Sequence, residues 1–219
     1  MRTQLTIKSV LFDFDGTLAD TLPLSFKAFR SVFLKYENKL LTDEEIIETF
    51  GPTEEEIIEN NIFNKDLVNE AIEYYYVIFE KHFHEMVTMP QEILDLLKEL
   101  TLLHIKMSII TNKSRKCLDI CLKNLGITDF FITTIAGDEV TLPKPDPEGI
   151  YRSIHMMNLR SDEVVFVGDS NADITAGKSA NILTIGAHWF GTVQNTEFSI
   201  EPDHIFTRTE ELKSFIKEL

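Results

Sequence analysis

Two aspartates two positions apart, Asp13 and Asp15, stand in Asp13-Phe14-Asp15-Gly16-Thr17, at the end of the apolar run 7–12. Side chains at i and i+2 of an extended chain point the same way, so both carboxylates can face one small site. Anions that close raise each other's pKa unless a cation intervenes; the pair suits a divalent metal site or a nucleophile and acid. Alone, it fits a helix or turn entry with ordinary Asx capping better than a site. Three other segments bear on the choice. Thr111-Asn112-Lys113 brings a hydroxyl and backbone N–H groups to a helix entry, where an anion can be held or where Thr111 is a plain cap. Lys144 lies between Pro143 and Pro145, and on so stiff a backbone it is a fixed ammonium suited to balancing an anionic intermediate. Gly168-Asp169-Ser170-Asn171-Ala172-Asp173 adds two carboxylates, hard donors that suit Mg2+ better than zinc. Asp173 by itself would also complement a helix N-terminus.

The elements that must position these groups alternate. Strand-like runs over 7–12, 105–110, 131–135, 164–167 and 182–185, with a short edge strand at 204–206, are separated by helical patterns over 90–102, 114–125, 146–157, 172–179 and 209–217. That order predicts right-handed βαβ units, an α/β fold with a mostly parallel, doubly wound sheet covered on both faces. Each chemical segment then falls at the carboxyl end of a strand, where open α/β sheets bind ligands. Between residues 22 and 85 the pattern is helical throughout. Capping boxes at Thr42-Asp43-Glu44-Glu45 and Thr53-Glu54-Glu55-Glu56 open two of four expected helices. Such a run predicts an inserted helical bundle, residues 19–85, on a core of 1–18 and 86–219, hanging over the carboxyl edge as a cap with hinges near Ala19-Asp20 and Glu85-Thr88. Glu54-Glu55-Glu56 reads as a solvated first turn, Tyr74-Tyr75-Tyr76 as packing, and His82 and His84 as surface residues near the hinge.

The net charge of −15 leaves no basic face for nucleic acid or an anionic membrane, so the expected partner is a small molecule, in a monomer or a homodimer alike. No stretch approaches the ~20 apolar residues of a membrane span, and residues 1–5 lack a signal peptide's apolar region. Cys117 and Cys121, four apart on one helix face, read as reduced, semi-buried thiols without a metal set. A cytoplasmic location is expected.

The four motifs, in this order at successive strand ends, resemble the haloacid dehalogenase-like hydrolase superfamily, in the phosphoglycolate phosphatase and β-phosphoglucomutase branch with an α-helical cap. The resemblance implies that the first strand lies between the second and the fourth, and that Asp13 attacks phosphorus to give an aspartyl-phosphate. It implies Asp15 as the acid and then the base, with Thr111 and Lys144 holding the phosphoryl oxygens; Gly16 and Asn112 are further expected substrate contacts. It places Mg2+ on Asp13, the carbonyl of Asp15, Asp169 and Asp173. The expected function is a Mg-dependent phosphatase for a small phosphorylated metabolite of phosphoglycolate, sugar, nucleotide or pyrophosphate type. The alternatives are a phosphosugar mutase and a non-catalytic phosphate-binding relative. Gly51-Pro52-Thr53 departs from the mutases' Gly-x-Ser-Arg pattern, and Asp15 separates the chain from the dehalogenases. Asn112, Lys113 and Gly51-Pro52-Thr53 are the expected contacts of the leaving group.

Overall fold

The computed structural model describes residues 6–218; residues 1–5, read above as leading into the first strand, and residue 219 lie outside it. The chain runs β1 (Ser9–Phe12), α1 (Leu22–Glu37), α2 (Asp43–Ile47), α3 (Glu54–Asn61), α4 (Val68–Met86), α5 (Gln91–Leu102), β2 (Lys106–Ile110), α6 (Arg115–Leu125) and β3 (Thr133–Ile135). It continues through α7 (Glu148–Met157), β4 (Val164–Gly168), α8 (Asn171–Ser179), β5 (Leu183–Ala187), β6 (His204–Phe206) and α9 (Thr209–Glu218). The predicted elements are present within a few residues of their expected bounds. The long aromatic helix α4 runs on to Met86, the end of the expected helical stretch, because the first helix-breaking residue is Pro90.

All six strands pair in parallel, in the order β3-β2-β1-β4-β5-β6. The first strand is therefore central, flanked by β2 and β4, with Phe12 level with Ile109 and Val167. Four consecutive buried residues in β1 and five in β4 mark strands covered on both faces. The two faces feed separate apolar layers: Val10 and Phe12 join Ile109, Val165 and Val167, whereas Leu11 joins Ile110 and Phe166. This alternation is the period-two pleat, and it fixes the register that brings the strand ends level.

Helices α1 to α4 leave the core directly after β1. Their core is a seam between α1 and α4 in which Phe29 meets Tyr75 at 4.7 Å between ring centroids and Tyr75 meets Phe79 at 5.8 Å. Both expected capping boxes form, Thr42 with Glu45 and Thr53 with Glu56. Cys117 and Cys121 are free and fully buried, deeper than the half-exposed thiols expected, because the helix face that carries them is the inner one of α6. Among the described residues no helix is long and apolar enough to cross a membrane.

Candidate active site

The sheet carries its polar strand ends to one place. Asp13 extends the β1 ladder by one residue, donating its N–H to Val167 O at 2.8 Å, before the chain breaks into a tight turn whose N–H groups converge on Phe14 O. Gly16 makes that turn at φ +75°, and a Cβ there would stand 2.3 Å from Asp169 Oδ2. Gly16→Ala therefore faces both a left-handed backbone and a collision with a buried carboxylate. We expect it to lower the melting temperature by the equivalent of about 2 kcal/mol and activity by more than tenfold. Thermal melts beside steady-state rates check this.

Asp13, Asp169 and Asp173 are all buried, and each offers a carboxylate oxygen within 4.8 Å of the others'. Among the described residues one ammonium stands against them. Lys144 Nζ lies 2.5 Å from Asp13 Oδ1 and 2.6 Å from Asp173 Oδ1. Burial pulls the Lys144 ammonium down, but the two carboxylates outweigh it and hold it above its ordinary value. Three negative charges against one leave a deficit. Burial, then the neighbouring Asp173, push Asp13 up to about 7 despite Lys144, and burial with Asp13 and Asp173 raises Asp169 well above the carboxylate range.

The carboxylates divide their hydrogen bonds unequally. Asp173 has both oxygens engaged: Oδ1 accepts from Lys144, and Oδ2 accepts from the N–H and Oγ of Ser170 at 2.9 and 2.6 Å. Asp169 Oδ2 accepts from Gln194 N at 2.7 Å, while its buried Oδ1 has no partner among the described residues. An orphaned buried carboxylate oxygen beside two more carboxylates fits a hard cation. Asp13 and Asp169 are the two with oxygen to give it, and Asp173 positions Lys144.

Asp15 faces the same cavity from the other side. Its Oδ1 accepts from Thr21 Oγ1, and its Oδ2 lies 3.1 Å from Lys113 Nζ. The cavity, about 300 Å³, is lined from the core by Asp13, Asp15, Thr111, Asn112, Lys113 and Lys144, and from the inserted segment by Phe29, Ile47, Phe50, Glu54 and Ile57. Thr111 is buried in the floor, its Oγ1 accepting from Lys113 N at 3.2 Å and so free to donate its own proton elsewhere. Asn112, expected at the substrate, uses its amide inside the protein. Its Nδ2 donates to Gly51 O and Lys144 O, both at 2.8 Å, and its Oδ1 accepts from Lys144 N at 2.9 Å. It straps the lysine-bearing loop to the inserted segment. Gly16, also expected at the substrate, stands against Asp169 and does not line the cavity.

Sequence reasoning missed three participants. Glu54, read as solvated, is buried: its carboxylate lies 2.9 Å from Lys113 Nζ and accepts from Ser114 N at 2.8 Å. Burial would raise Glu54, but Lys113 and the Ser114 N–H hold it below the ordinary value. Gln194 and Asn195 come from the irregular segment after Trp189, whose indole N–H donates to Thr17 O at 2.8 Å and pins that segment beside the site. No periodicity betrays such residues; the capping-box pattern explained Glu54 too cheaply.

Comparison with known proteins settles the family. Residues 10–187 match the family model described as haloacid dehalogenase-like hydrolase. The chain is a haloacid dehalogenase-like hydrolase. Among its relatives in this family is pyrophosphatase PpaX of Oceanobacillus iheyensis, 32% identical over 215 residues with 97% of this chain and 96% of the relative covered. Pyrophosphatase PpaX of Bacillus velezensis is 30% identical, covering 96% of each chain. In fold the hydrolase is similar to CbbY from Rhodobacter sphaeroides, solved in complex with phosphate: TM-score 0.81 at 23% identity, covering 94% of this chain and 96% of that one. The superfamily inferred from the four motifs is the one found, and the enzyme is a phosphatase.

Proposed function

We propose that this phosphatase hydrolyses a small phosphorylated metabolite through an aspartyl-phosphate on Asp13, with Mg2+ as its metal, in the cytoplasm. The observation that carries the reading is the cluster itself: Asp13 and Asp173 held by a buried lysine, with Asp169 and its orphaned oxygen beside them, where Asp13 and Lys144 line the cavity. When bound by Asp13 and Asp169, Mg2+ would neutralise charge on the carboxylates and on the transferring phosphoryl group. Asp13 attacks phosphorus in line, and the bond to the leaving oxygen breaks with its electron pair. Lys144 and the Thr111 hydroxyl hold phosphoryl oxygens. Asp15, oriented by Thr21 and Lys113, gives the leaving oxygen its proton. It then takes a proton from the water that attacks phosphorus, which releases phosphate and restores Asp13.

The inserted residues 19–85 act as a cap, closing the cavity over the substrate and excluding water from the intermediate. The free, buried thiols of Cys117 and Cys121 support the cytoplasmic placement. The names of the relatives put pyrophosphate among the compounds to test. Release of phosphate from p-nitrophenyl phosphate, with Mg2+ and with chelator, tests the reading. Turnover only with the metal is expected; none in either condition would refute it.

The raised Asp13 carboxyl makes a further expectation. Asp13 titrates at about 7 in the folded protein against 3.8 ordinarily, so between those values the folded state holds a proton the unfolded chain has released. Stability then falls as pH rises across the window, and the charge deficit persists above it. A cation among the carboxylates removes the deficit. Mg2+ should therefore raise the melting temperature by several degrees at about pH 8 and barely at about pH 5. Equal shifts at the two pH values would contradict this.

A further inference from the structure

The cavity combines two kinds of lining. The core supplies Asp13, Thr111 and Lys144, whereas the inserted segment supplies Phe29, Ile47, Phe50 and Ile57. Among the described residues lining the cavity, the cations are Lys144 and Lys113. Lys144 is committed to Asp13 and Asp173, so any second anion on the substrate must be met by Lys113.

Lys113 has nothing left to give. An ammonium has three donors, and all three are taken: Glu54 Oε1 at 2.9 Å, Asp15 Oδ2 at 3.1 Å and Cys117 Sγ at 3.6 Å. Its side chain is 2% exposed, and the Phe79 ring lies 5.3 Å from Nζ. Glu54 is equally fixed, because its second oxygen is held by the N–H of Ser114 at the start of α6. The carboxylates facing the cavity, Asp13, Asp15 and Glu54, outnumber the two lysines. A phosphate or carboxylate on the leaving group would be desolvated against this excess with no free cation among the described residues.

We propose that Glu54 is a specificity-determining residue: by neutralising Lys113 it restricts the site to phosphomonoesters whose leaving group carries no second anionic group and presents an apolar face to the inserted helices. The inference rests on the phosphatase reading above and narrows it. It separates this enzyme from substrates of the pyrophosphate kind, although relatives at 30% and 32% identity are pyrophosphatases.

The test compares kcat/KM for phenyl phosphate, pyrophosphate and phosphoglycolate in the parent enzyme and in Glu54→Gln. Glutamine is nearly the same size as glutamate but uncharged, and the substitution leaves Lys113 with one carboxylate instead of two. The parent should favour phenyl phosphate over either competitor, whose leaving group is a phosphate or bears a carboxylate, by about 100-fold, since an uncompensated buried anion costs a few kcal/mol. The substitution should raise kcat/KM for pyrophosphate about tenfold relative to phenyl phosphate. Parent enzyme that hydrolyses pyrophosphate as well as phenyl phosphate overturns the inference and leaves the phosphatase reading standing. That comparison needs no variant, so it holds even if Glu54→Gln folds poorly. An unchanged ratio in a folded Glu54→Gln enzyme overturns the role given to Glu54. Turnover of none of the three overturns the phosphatase reading and the inference with it.

Discussion

Asp13→Asn should fold normally and lose at least ~10⁴-fold in kcat, the scale seen when an enzyme's nucleophile is removed while binding groups remain. The asparagine keeps an oxygen for Lys144 but has no carboxylate to attack phosphorus. Stability separates this loss from damage to the fold. Asp13 is one of three carboxylates facing one ammonium, and burial with its acidic neighbours already pushes it up to about 7. Removing its charge relieves repulsion, so without metal the variant should melt at or above the parent's temperature. Parent-like rates would refute the nucleophile. A collapsed fold would refute the electrostatic account of the cluster.

Lys144→Met should be damaging on both counts. Among the described residues the lysine is the cation that touches Asp13 and Asp173, at 2.5 and 2.6 Å, and all three groups are buried. Breaking a buried ion pair by removing one partner costs about 3 kcal/mol or more, because the other charges stay behind. Here two carboxylates lose their partner at once. The activity loss should reach ~10³-fold, because a fixed positive charge is withdrawn from the phosphoryl oxygens. Denaturant melts should show the deficit most strongly without metal, with Mg2+ restoring stability but not kcat. Recovery of both by Mg2+ would mean that Lys144 acts only on the carboxylates and not on the phosphoryl group.

The two substitutions bear on residues that the sequence made visible, and the reason is local. Asp13, Thr111 and Asp169 each follow an apolar run that can only be a covered strand, and Lys144 is flanked by prolines. Strand ends in an alternating α/β chain converge on one edge, so spacing along the chain translates into proximity. The pairing of β1 with both β2 and β4 came from the family resemblance and not from the strands' composition, which is uniformly apolar. Glu54 was misread for a physical reason. Three glutamates after Thr53 satisfy a helix N-terminus whether or not anything covers them, and its partner Lys113 lies in the other half of the fold. Only the docking of α3 on the loop after β2 buries Glu54. Asn112 lines the cavity as expected, and its amide also joins Gly51 O to the Lys144 backbone, a task its place at a strand end did not reveal. Gln194 lies in a segment without helical or strand periodicity, and its backbone N–H, which any residue but proline would supply, is what reaches Asp169.

The central claim is that Asp13 carries the phosphoryl group, and chemical trapping during turnover tests it most directly. Borohydride added to the enzyme while it hydrolyses phenyl phosphate with Mg2+ would reduce an aspartyl-phosphate to homoserine, which peptide mass spectrometry locates. The account predicts homoserine at position 13, absent without substrate and absent from Asp13→Asn. Sustained turnover with residue 13 unmodified, or with the reduced residue at position 15, 169 or 173, would contradict it.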